Sequence, residues 1–188
     1  MMLRLGYMGI PLSNSEEAAL SFARKHAFQN YQMVPLMCSA NVVESLEKGE
    51  IDVGVVAVRN AIAGTVEETE LALKNKIMIE IVDTIDVPIH HCLFTKASDV
   101  KIRAVASHVQ ALLQTKDNLQ KLCPGTERVE VADTAYAAEM LATGELPMDV
   151  AVVCRKEAGT YHGLVLVKEN IEDDKRNMTS FSMMKIKP

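Results

Sequence analysis

The sequence predicts an α/β protein of two lobes, with mostly parallel sheets, helices on both faces of each sheet and a cleft between the lobes. Strand-like apolar runs alternate with helix-like patterns along most of the chain, as in a series of βαβ units. Runs such as VGVVAV and DVAVVC are apolar throughout, which is typical of strands covered on both faces. The alternation stops over residues 77–96 and then begins again, which indicates a second lobe.

The first lobe begins with the strand LRLGYM and the helix SEEAALSFARKH, whose apolar residues fall on one face. Ser13, Asn14 or Ser15 is suited to cap that helix. The strand YQMVPLM, the helix VVESLEKG, the strand DVGVVAV and the helix TVEETELALKNK then follow in turn. This order predicts a βαβαβα unit.

Residues 77–96 are long, extended and interrupted by Pro88, so we interpret them as a crossover between the lobes. The second lobe is then predicted from IRAVAS (strand), QALLQTKDNLQKL (helix), ERVEVA (strand), TAYAAEMLATGE (helix), DVAVVC (strand), RKEAGTYHG (helix) and LVLVKENI (strand). The acidic turn EDDKRN and the strand MTSFSMMKI return the chain to the first lobe. We therefore expect residues 1–84 and 176–188 in the first lobe and residues 85–175 in the second.

Composition excludes several classes of partner. Of the 188 residues, 48% are hydrophobic, and the formal net charge of −5 argues against a nucleic-acid partner or an anionic membrane surface. The four cysteines are widely spaced, which predicts reduced and mostly buried thiols. The sequence has no leader pattern and no apolar stretch long enough for a membrane span, so we expect a cytoplasmic protein.

Motifs for nucleotide and metal sites are absent from the sequence. It contains no glycine-rich dinucleotide fingerprint, no P-loop, no His-Glu-x-x-His and no EF-hand loop. His90 and His91 are adjacent, so on a strand they point to opposite faces, and we expect one packed and one exposed ring rather than a shared metal ion. The sequence predicts no metal site.

Two strand-to-helix junctions carry polar residues that suit a ligand. Arg59 and Asn60 follow the strand VGVVAV, at a position where open α/β folds bind ligands, and a guanidinium there suits an anion. The alternative is a surface arginine whose stem covers the strand end. His108 lies at a second junction, where Ser107 is suited to cap the next helix.

Five segments in order resemble the prephenate dehydratase domain: GYMGIPLSNSEEAA, VVAVRNAIAGTVEET, VPIHHCL, VASHVQAL and ENIEDDKRNMTSF. The resemblance runs from Leu5 to about Ile186. It implies a fold like the type II periplasmic binding proteins, with the substrate between two lobes. It also implies conversion of prephenate to phenylpyruvate, with loss of water and carbon dioxide, in phenylalanine biosynthesis.

The resemblance also implies roles for individual residues. Prephenate is a dianion, so an enzyme must hold two carboxylates and protonate the departing ring hydroxyl, and it needs no cofactor to do so. Thr179 matches the threonine of the family's Thr-Arg-Phe motif and is the implied catalytic hydroxyl. The implied substrate-binding residues are Ser13, Asn60, Ser107, His108, Gln110 and Phe181, and Arg59 joins them because of its position at the strand end rather than through the resemblance.

The chain departs from the family pattern at several positions. Leu12 and Asn14 replace glycine and phenylalanine in the Gly-Pro-x-Gly-Thr-Phe-Ser stretch, and Val109 replaces the proline of Ser-His-Pro-Gln-Ala. Arg59 and Ala61 replace the glutamate and serine of Glu-Asn-Ser, and Ser180 replaces the arginine of Thr-Arg-Phe. Since a cation is lost at Ser180 and gained at Arg59, we hypothesise that the anion-holding role has moved across the cleft.

These departures leave two alternatives to a prephenate dehydratase. One is a non-catalytic two-lobed domain that binds or senses a small carboxylate, and the other is a variant that resembles a prephenate decarboxylase. Thr179, Asn60 and Gln110 favour catalysis, whereas Ser180 and Ala61 favour a binder or a changed substrate. Because the sequence stops soon after Phe181, where the family's regulatory domain would follow, we expect a phenylalanine-insensitive homo-oligomer, either a dimer or a tetramer.

Overall fold

A computed structural model describes residues 2–188 of the chain. The backbone divides into two compact units, of which the first runs to Ile89 and takes in Met178–Pro188, while the second is His90–Asn177. The boundary expected after residue 84 falls inside a strand of the first unit, and the return expected at residue 176 falls just before the observed one at Met178.

The first unit is a mixed β-sheet of six strands with helices packed on it. Its elements are β1 (Leu3–Tyr7), α1 (Asn14–Lys25), β2 (Tyr31–Pro35), α2 (Ser39–Glu47), β3 (Val53–Asn60), β4 (Gly64–Thr65), α3 (Glu67–Leu73), β5 (Ile79–Pro88) and β11 (Met178–Ile186). The strand order is β2-β1-β3-β11-β5, and β4 pairs with β3. The last strand of the chain therefore lies inside this sheet, antiparallel to both of its neighbours.

Burial on both faces of β3 agrees with its continuous apolar sequence. On one face, Phe22 of α1 packs in a core with Val55 and Phe181. On the other face, Leu46 of α2 packs in a second core with Val56 and Met184. The prediction of strands covered by helices on both faces is confirmed for this part of the first unit.

The second unit contains a mixed sheet of five strands in the order β10-β6-β9-β7-β8. Its elements are β6 (Cys92–Thr95), β7 (Ala104–Ser107), α4 (Val109–Gln114), α5 (Lys116–Leu122), β8 (Glu127–Glu130), α6 (Thr134–Thr143), β9 (Val150–Cys154), α7 (Lys156–Tyr161) and β10 (Val165–Lys168). Here β7 runs parallel to β8 and β9, whereas β6 runs antiparallel to β9 and β10.

Two sequence predictions about the elements were wrong. Both sheets are mixed rather than mostly parallel, because β11 and β6 each enter a sheet antiparallel to the neighbouring strands. The crossover predicted within residues 77–96 is present, since the chain passes from the first unit to the second at Ile89 and His90, although most of these residues form β5 and β6. Pro88 lies just before this crossing, at the end of an edge strand.

The second error concerns the helix predicted over residues 110–122. It breaks into α4 and α5 at Thr115, whose hydroxyl donates to the carbonyl oxygen of Ala111 at 2.7 Å. A buried threonine that bonds back to the preceding turn disturbs a helix in this way.

The cysteines are free thiols, as their spacing predicted, and three of the four are buried. Cys92 and Cys154 face each other in register across the antiparallel pair of β6 and β9. Burial raises the pKa of both thiols, which keeps them protonated. None of the helices in residues 2–188 is long and apolar enough to cross a bilayer.

Candidate active site

Thr179 and Asn60 form a hydrogen-bonded pair in the first unit. They lie opposite each other in the antiparallel ladder of β11 and β3, and each is only 9% exposed. The Asn60 Nδ2 group donates to Thr179 Oγ1 over 2.9 Å. Within residues 2–188, Thr179 donates its own hydroxyl proton to no acceptor. That proton is therefore available to a group bound beside it.

The orientation of the Asn60 amide is determined by its surroundings. Its Oδ1 atom accepts hydrogen bonds from the backbone N–H groups of Ile62 and Ala63, each at 2.9 Å. Its Nδ2 group donates to the carbonyl oxygen of Met178 at 3.2 Å as well as to Thr179. Two donors on one side and two acceptors on the other leave only one amide orientation, so an N–H group must point at Thr179 Oγ1.

The loop between β1 and α1 leaves the first sheet in the direction of Asn60. β1 and β3 are parallel neighbours and Tyr7 pairs with Val55, so β3 continues five residues beyond that pair to Asn60. Ser13 caps α1, and its Oγ atom accepts from the backbone N–H of Glu16 at 3.3 Å, so the predicted cap is confirmed. The loop that precedes it contains two left-handed residues, Gly9 (φ 88°) and Leu12 (φ 68°).

Arg59 belongs to a different cross-strand row. Ser180 of β11 lies opposite Arg59 of β3 on one side and Asp86 of β5 on the other. Ser180 Oγ donates to Asp86 Oδ1 at 2.5 Å. Arg59 is exposed, and its side chain makes no ion pair or hydrogen bond within the described residues. Within residues 2–188, Arg59 thus pairs with no acidic residue of α3.

The hypothesis that the cation has moved across a cleft is wrong. Positions 59 and 180 are direct neighbours on adjacent strands of one sheet, at the separation of a cross-strand pair. The error arose because the register of β3 with β11 joins residues that are far apart in sequence. A cation at Arg59 therefore lies one strand away from position 180, on the same face of the sheet.

Phe181 does not suit the substrate-binding role that its motif implied. Its side chain is 2% exposed and packs in the core beneath α1 with Val55 and Val87. The alternation along β11 places it on the same face as Thr179, but one pair further into the sheet. It therefore supports the strand that carries Thr179 rather than an open surface.

In the second unit, the predicted cap was assigned to the wrong residue. Ser107 is fully buried, and its Oγ donates to the carbonyl oxygen of Val153 at 2.6 Å, which ties β7 to β9. His108 caps α4 instead, because its Nδ1 accepts from the backbone N–H of Gln110 at 3.2 Å. Gln110 itself is exposed. Ser107, His108 and Gln110 are close in sequence, but the Ser107 hydroxyl already donates its hydrogen bond to a neighbouring strand of the same sheet.

A buried carboxylate holds together the two places where the chain enters and leaves the second unit. Glu172 is 1% exposed and accepts from the His91 backbone N–H at 3.1 Å. Its Oε1 atom also contacts His90 Nδ1 and Lys175 Nζ, each at 3.1 Å.

The two adjacent histidines differ in exposure. The ring of His91 is buried, and its Nε2 atom lies 2.9 Å from Oε1 of Gln114, whereas His90 is exposed. The prediction of one packed and one exposed ring is confirmed. Among the described residues, no cluster of His, Cys, Asp and Glu is arranged to hold a metal ion.

Comparison with known proteins identifies the family. The family model described as "Prephenate dehydratase" matches residues 5–188, almost the whole chain. The chain belongs to the prephenate dehydratase family. It is 31% identical over 191 residues to the arogenate dehydratase/prephenate dehydratase 1 of Arabidopsis thaliana, a chloroplastic protein, and the alignment covers 99% of this chain and 46% of that relative. The chain thus spans about half the length of that relative.

Solved structures show the fold. The prephenate dehydratase from Arthrobacter aurescens, crystallised with L-Phe, superimposes with a TM-score of 0.88 at 21% identity, covering 99% of this chain and 61% of that one. A periplasmic substrate-binding protein of an ABC transporter from Coxiella burnetii gives 0.54 at 13% identity, with 98% and 84% covered. The predicted α/β fold of the periplasmic-binding-protein type is confirmed.

Family membership gives the altered motifs a structural meaning. In the prephenate dehydratase family, the resemblance puts glycine at position 12, and Leu12 has the left-handed backbone that favours glycine. The backbone shape of this loop is therefore kept although its residue type is not. Positions 59 and 180 lie opposite each other on the adjacent strands β3 and β11, where the family pattern would pair an acid with a cation. Here Arg59 lies opposite a serine that donates a hydrogen bond to Asp86.

Two polar residues near these strand ends were missed. Glu16 binds the loop of residues 9–13, and the Ser13-x-x-Glu16 spacing of a capping box was a signal for it. Arg155 directly follows β9, as Arg59 ends β3, and its side chain is 14% exposed with Glu157 at 3.4 Å. Like Arg59, Arg155 is therefore an arginine at the carboxyl end of a buried apolar strand.

Proposed function

We propose that this chain is a carbon–oxygen lyase that converts prephenate to phenylpyruvate, water and carbon dioxide. The observation that supports it best is the Thr179 hydroxyl, which receives a hydrogen bond from Asn60 while its own proton is uncommitted among the described residues. A hydroxyl held in this state can donate a proton to a leaving group. Membership of the prephenate dehydratase family supplies the substrate class.

In the proposed reaction, Thr179 delivers its proton to the hydroxyl oxygen on the prephenate ring. The ring carbon–oxygen bond breaks and water leaves, while the bond to the ring carboxylate breaks and releases carbon dioxide. The electrons of that second bond complete the aromatic ring, so the step balances with one proton consumed, which solvent water then returns to Thr179 Oγ1. The Asn60 N–H, which points at Thr179 Oγ1, stabilises the negative charge that develops on this oxygen as its proton leaves.

Arg59 is the proposed carboxylate contact of the first unit. Its guanidinium is exposed, has no partner among the described residues and ends the same strand as Asn60. Arg59 and Thr179 belong to rows on opposite faces, so they would serve different groups of the substrate. A planar guanidinium binds a carboxylate through two parallel hydrogen bonds, which suits a dianion approaching a chain of net charge −5. In the second unit, His108 and Gln110 remain proposed contacts at the start of α4.

Arogenate is the second candidate substrate, because the matched plant relative is named for both arogenate and prephenate. Arogenate carries an amino group where prephenate carries a keto group, so the ring chemistry at Thr179 would be the same. The product would then be phenylalanine rather than phenylpyruvate.

The test is to incubate the purified chain with prephenate and, separately, with arogenate, and to measure phenylpyruvate and phenylalanine. The Thr179→Val variant is the matched negative control, and a buffer blank corrects for the spontaneous reaction. Product above the blank from wild type but not from the variant supports the proposal. Tight binding of either compound without product would favour the non-catalytic binding domain instead, and prephenate that loses carbon dioxide but keeps the ring hydroxyl would favour a decarboxylase.

The proposal also retains a cytoplasmic homo-oligomer. Size-exclusion chromatography with light scattering would check the oligomeric state, and fractionation of the source cells would check the compartment.

A further inference from the structure

The loop between β1 and α1 adopts a backbone that its sequence does not favour by itself. Leu12 has φ 68°, in the left-handed region that residues with a side chain avoid. Gly9 also lies in that region, and a Cβ added there would lie 3.0 Å from Ser13 Oγ. Some other contact must therefore hold residues 9–13 in place.

The Glu16 carboxylate makes that contact. Its Oε2 atom accepts from the backbone N–H of Leu12 at 2.7 Å, and its Oε1 atom accepts from the hydroxyl of Tyr7 at 3.0 Å. Tyr7 is 1% exposed at the end of β1, so it is a fixed point of the core. Both oxygens accept, which an ionised carboxylate can do and an amide of the same size cannot. The strained residue is thus tied to a buried strand through one side chain.

The position of this loop affects the neighbouring strand end. Met8, the first residue after β1, donates its backbone N–H to Val55 at 3.1 Å. Its Sδ atom lies 3.1 Å from the backbone nitrogen of Ala57, further along β3. β3 continues from Ala57 to Asn60, the hydrogen-bond partner of Thr179. The loop therefore contacts the strand that carries Asn60.

We propose that Glu16 is a positioning residue that keeps residues 9–13 in the shape that the substrate requires. This proposal rests on the proposed function, because the loop carries Ser13 and leaves the first sheet in the direction of Asn60. Glu16 contacts no reacting atom and acts through Leu12. A helix cap that only stabilises α1 would predict a loss of stability alone, whereas a positioning role predicts an effect on substrate affinity that depends on Leu12.

The experiment compares Glu16→Gln, Tyr7→Phe, Leu12→Gly and the double variant Glu16→Gln/Leu12→Gly, with Glu44→Gln on α2 as the control carboxylate. Glu44 pairs with Lys48 on the surface, away from the loop. The readouts are kcat and KM for prephenate and arogenate, the melting temperature, and the hydrogen exchange rate of the Leu12 amide. We expect Glu16→Gln to raise KM about tenfold with a smaller change in kcat, which is the effect of replacing a charge-assisted hydrogen bond to Leu12 by a weaker neutral one.

The decisive comparison is the double variant. Glycine adopts the left-handed conformation without cost, so Leu12→Gly should restore most of the KM that Glu16→Gln loses. Tyr7→Phe should give a smaller rise in KM, because the bond to Leu12 remains. An unchanged KM in Glu16→Gln, or a raised KM that glycine at position 12 does not restore, would overturn the positioning role. Wild type without turnover on either substrate would instead overturn the proposed function and the positioning role with it, and exchange of the Leu12 amide would still show whether the contact exists.

Discussion

Each unit contains a hydroxyl that the sequence marks in the same way, at a strand end within a family motif, yet the two hydroxyls differ in what their protons do. In the first unit, Thr179 accepts a hydrogen bond from Asn60 and donates to no acceptor among residues 2–188. In the second unit, Ser107 donates to the carbonyl oxygen of Val153. The first hydroxyl is available for chemistry, and the second joins two strands.

The comparison teaches that a residue type at a strand end does not define a role until its hydrogen bonds are known. Within the described part of the chain, the Thr179 hydroxyl is not used as a donor, because the asparagine opposite it is forced to present N–H rather than C=O. The Ser107 hydroxyl donates its hydrogen bond to Val153 of the neighbouring strand, because β7 and β9 run side by side there. Substitution at each of the two hydroxyls tests whether this contrast in hydrogen bonding is also a contrast in function.

The largest effect is expected at Thr179. Thr179→Val keeps the shape and the strand propensity of the residue but removes the proton, so turnover should fall by about 10² to 10⁴. Thr179→Ser should retain a measurable part of the activity. Ser182→Ala, which removes another buried hydroxyl from the same strand, is the matched control and should leave turnover near wild type. Steady-state assays on the three variants, with melting temperatures, make the comparison; equal turnover in Thr179→Val and wild type would contradict the proposed role.

A smaller effect is expected at Arg59, which tests the carboxylate contact of the first unit. Arg59→Ala should weaken binding of prephenate at least tenfold with little change in melting temperature, because the side chain is exposed and makes no contact that stabilises the fold. Arg24→Ala, which removes an exposed arginine of α1 that pairs with Glu17, is the control for net charge. Calorimetry or inhibition by phenylpyruvate measures the affinity.

The double variant Arg59→Glu/Ser180→Arg sharpens this test. It restores the family arrangement on two positions that face each other across β3 and β11. We expect it to bind prephenate more tightly than Arg59→Glu alone, because the cation returns to the same row of the sheet. No recovery in the double variant would mean that the two positions do not share a role.

For Ser107 we expect a change in stability and not in chemistry. Ser107→Ala leaves the carbonyl oxygen of Val153 without its buried donor, which costs about 1 to 3 kcal/mol of unfolding free energy. The folded fraction should keep its kcat within about twofold, since the hydroxyl proton is already committed. Denaturant unfolding and turnover measured on the same sample check this. A large loss of kcat with no loss of stability would place Ser107 in the chemistry and remove the contrast with Thr179.

The smallest effect concerns pH and lies in the second unit. Burial alone raises the pKa of Glu172, but hydrogen bonds from the His91 backbone, His90 and Lys175 outweigh it and hold that pKa below its ordinary value. A carboxylate whose pKa is lowered in the folded state stabilises the fold above its unfolded pKa, and this stability is lost as the pH falls through the folded value. Burial lowers the pKa of His91, so protonation of that ring also opposes folding in acid.

We therefore expect the melting temperature to fall as the pH is lowered from about 7 to about 3, and to fall less steeply in Glu172→Gln. The variant should already be less stable at neutral pH, because an amide cannot accept all three of the Glu172 hydrogen bonds. Glu157→Gln, at an exposed position of α7, serves as the control. Identical pH dependence in Glu172→Gln and wild type would show that this carboxylate is not the acid-sensitive group.

Local patterns predicted the parts of the fold that depend on neighbouring residues. The alternation of strands and helices, the Ser13 cap and the contrast between His90 and His91 all follow from spacing within a few residues. Contacts between distant segments could not be predicted in this way. The pairing of Arg59 with position 180, and the commitment of the Ser107 hydroxyl to Val153, depend on strand register, which no local pattern contains.

The sequence also misled where one residue type has two structural uses. Ser107 was taken as a helix cap, although the neighbouring His108 caps α4. For Phe181 the motif suggested a ligand contact, but the alternation of β11 puts it in the core. In each case the deciding fact is which surface the residue covers, and that follows only from the assembled sheet.

The place of β11 inside the first sheet has a consequence for biosynthesis. The ribosome delivers residues 90–177, the whole second unit, before it delivers the strand that β3 and β5 must both pair with. Domains usually fold in the order of synthesis, N-terminal first, but here the sheet of the first unit remains incomplete until β11 has been synthesised. We expect the second unit to gain protease resistance on stalled nascent chains before the first does, so that the unit begun first is the last to be finished.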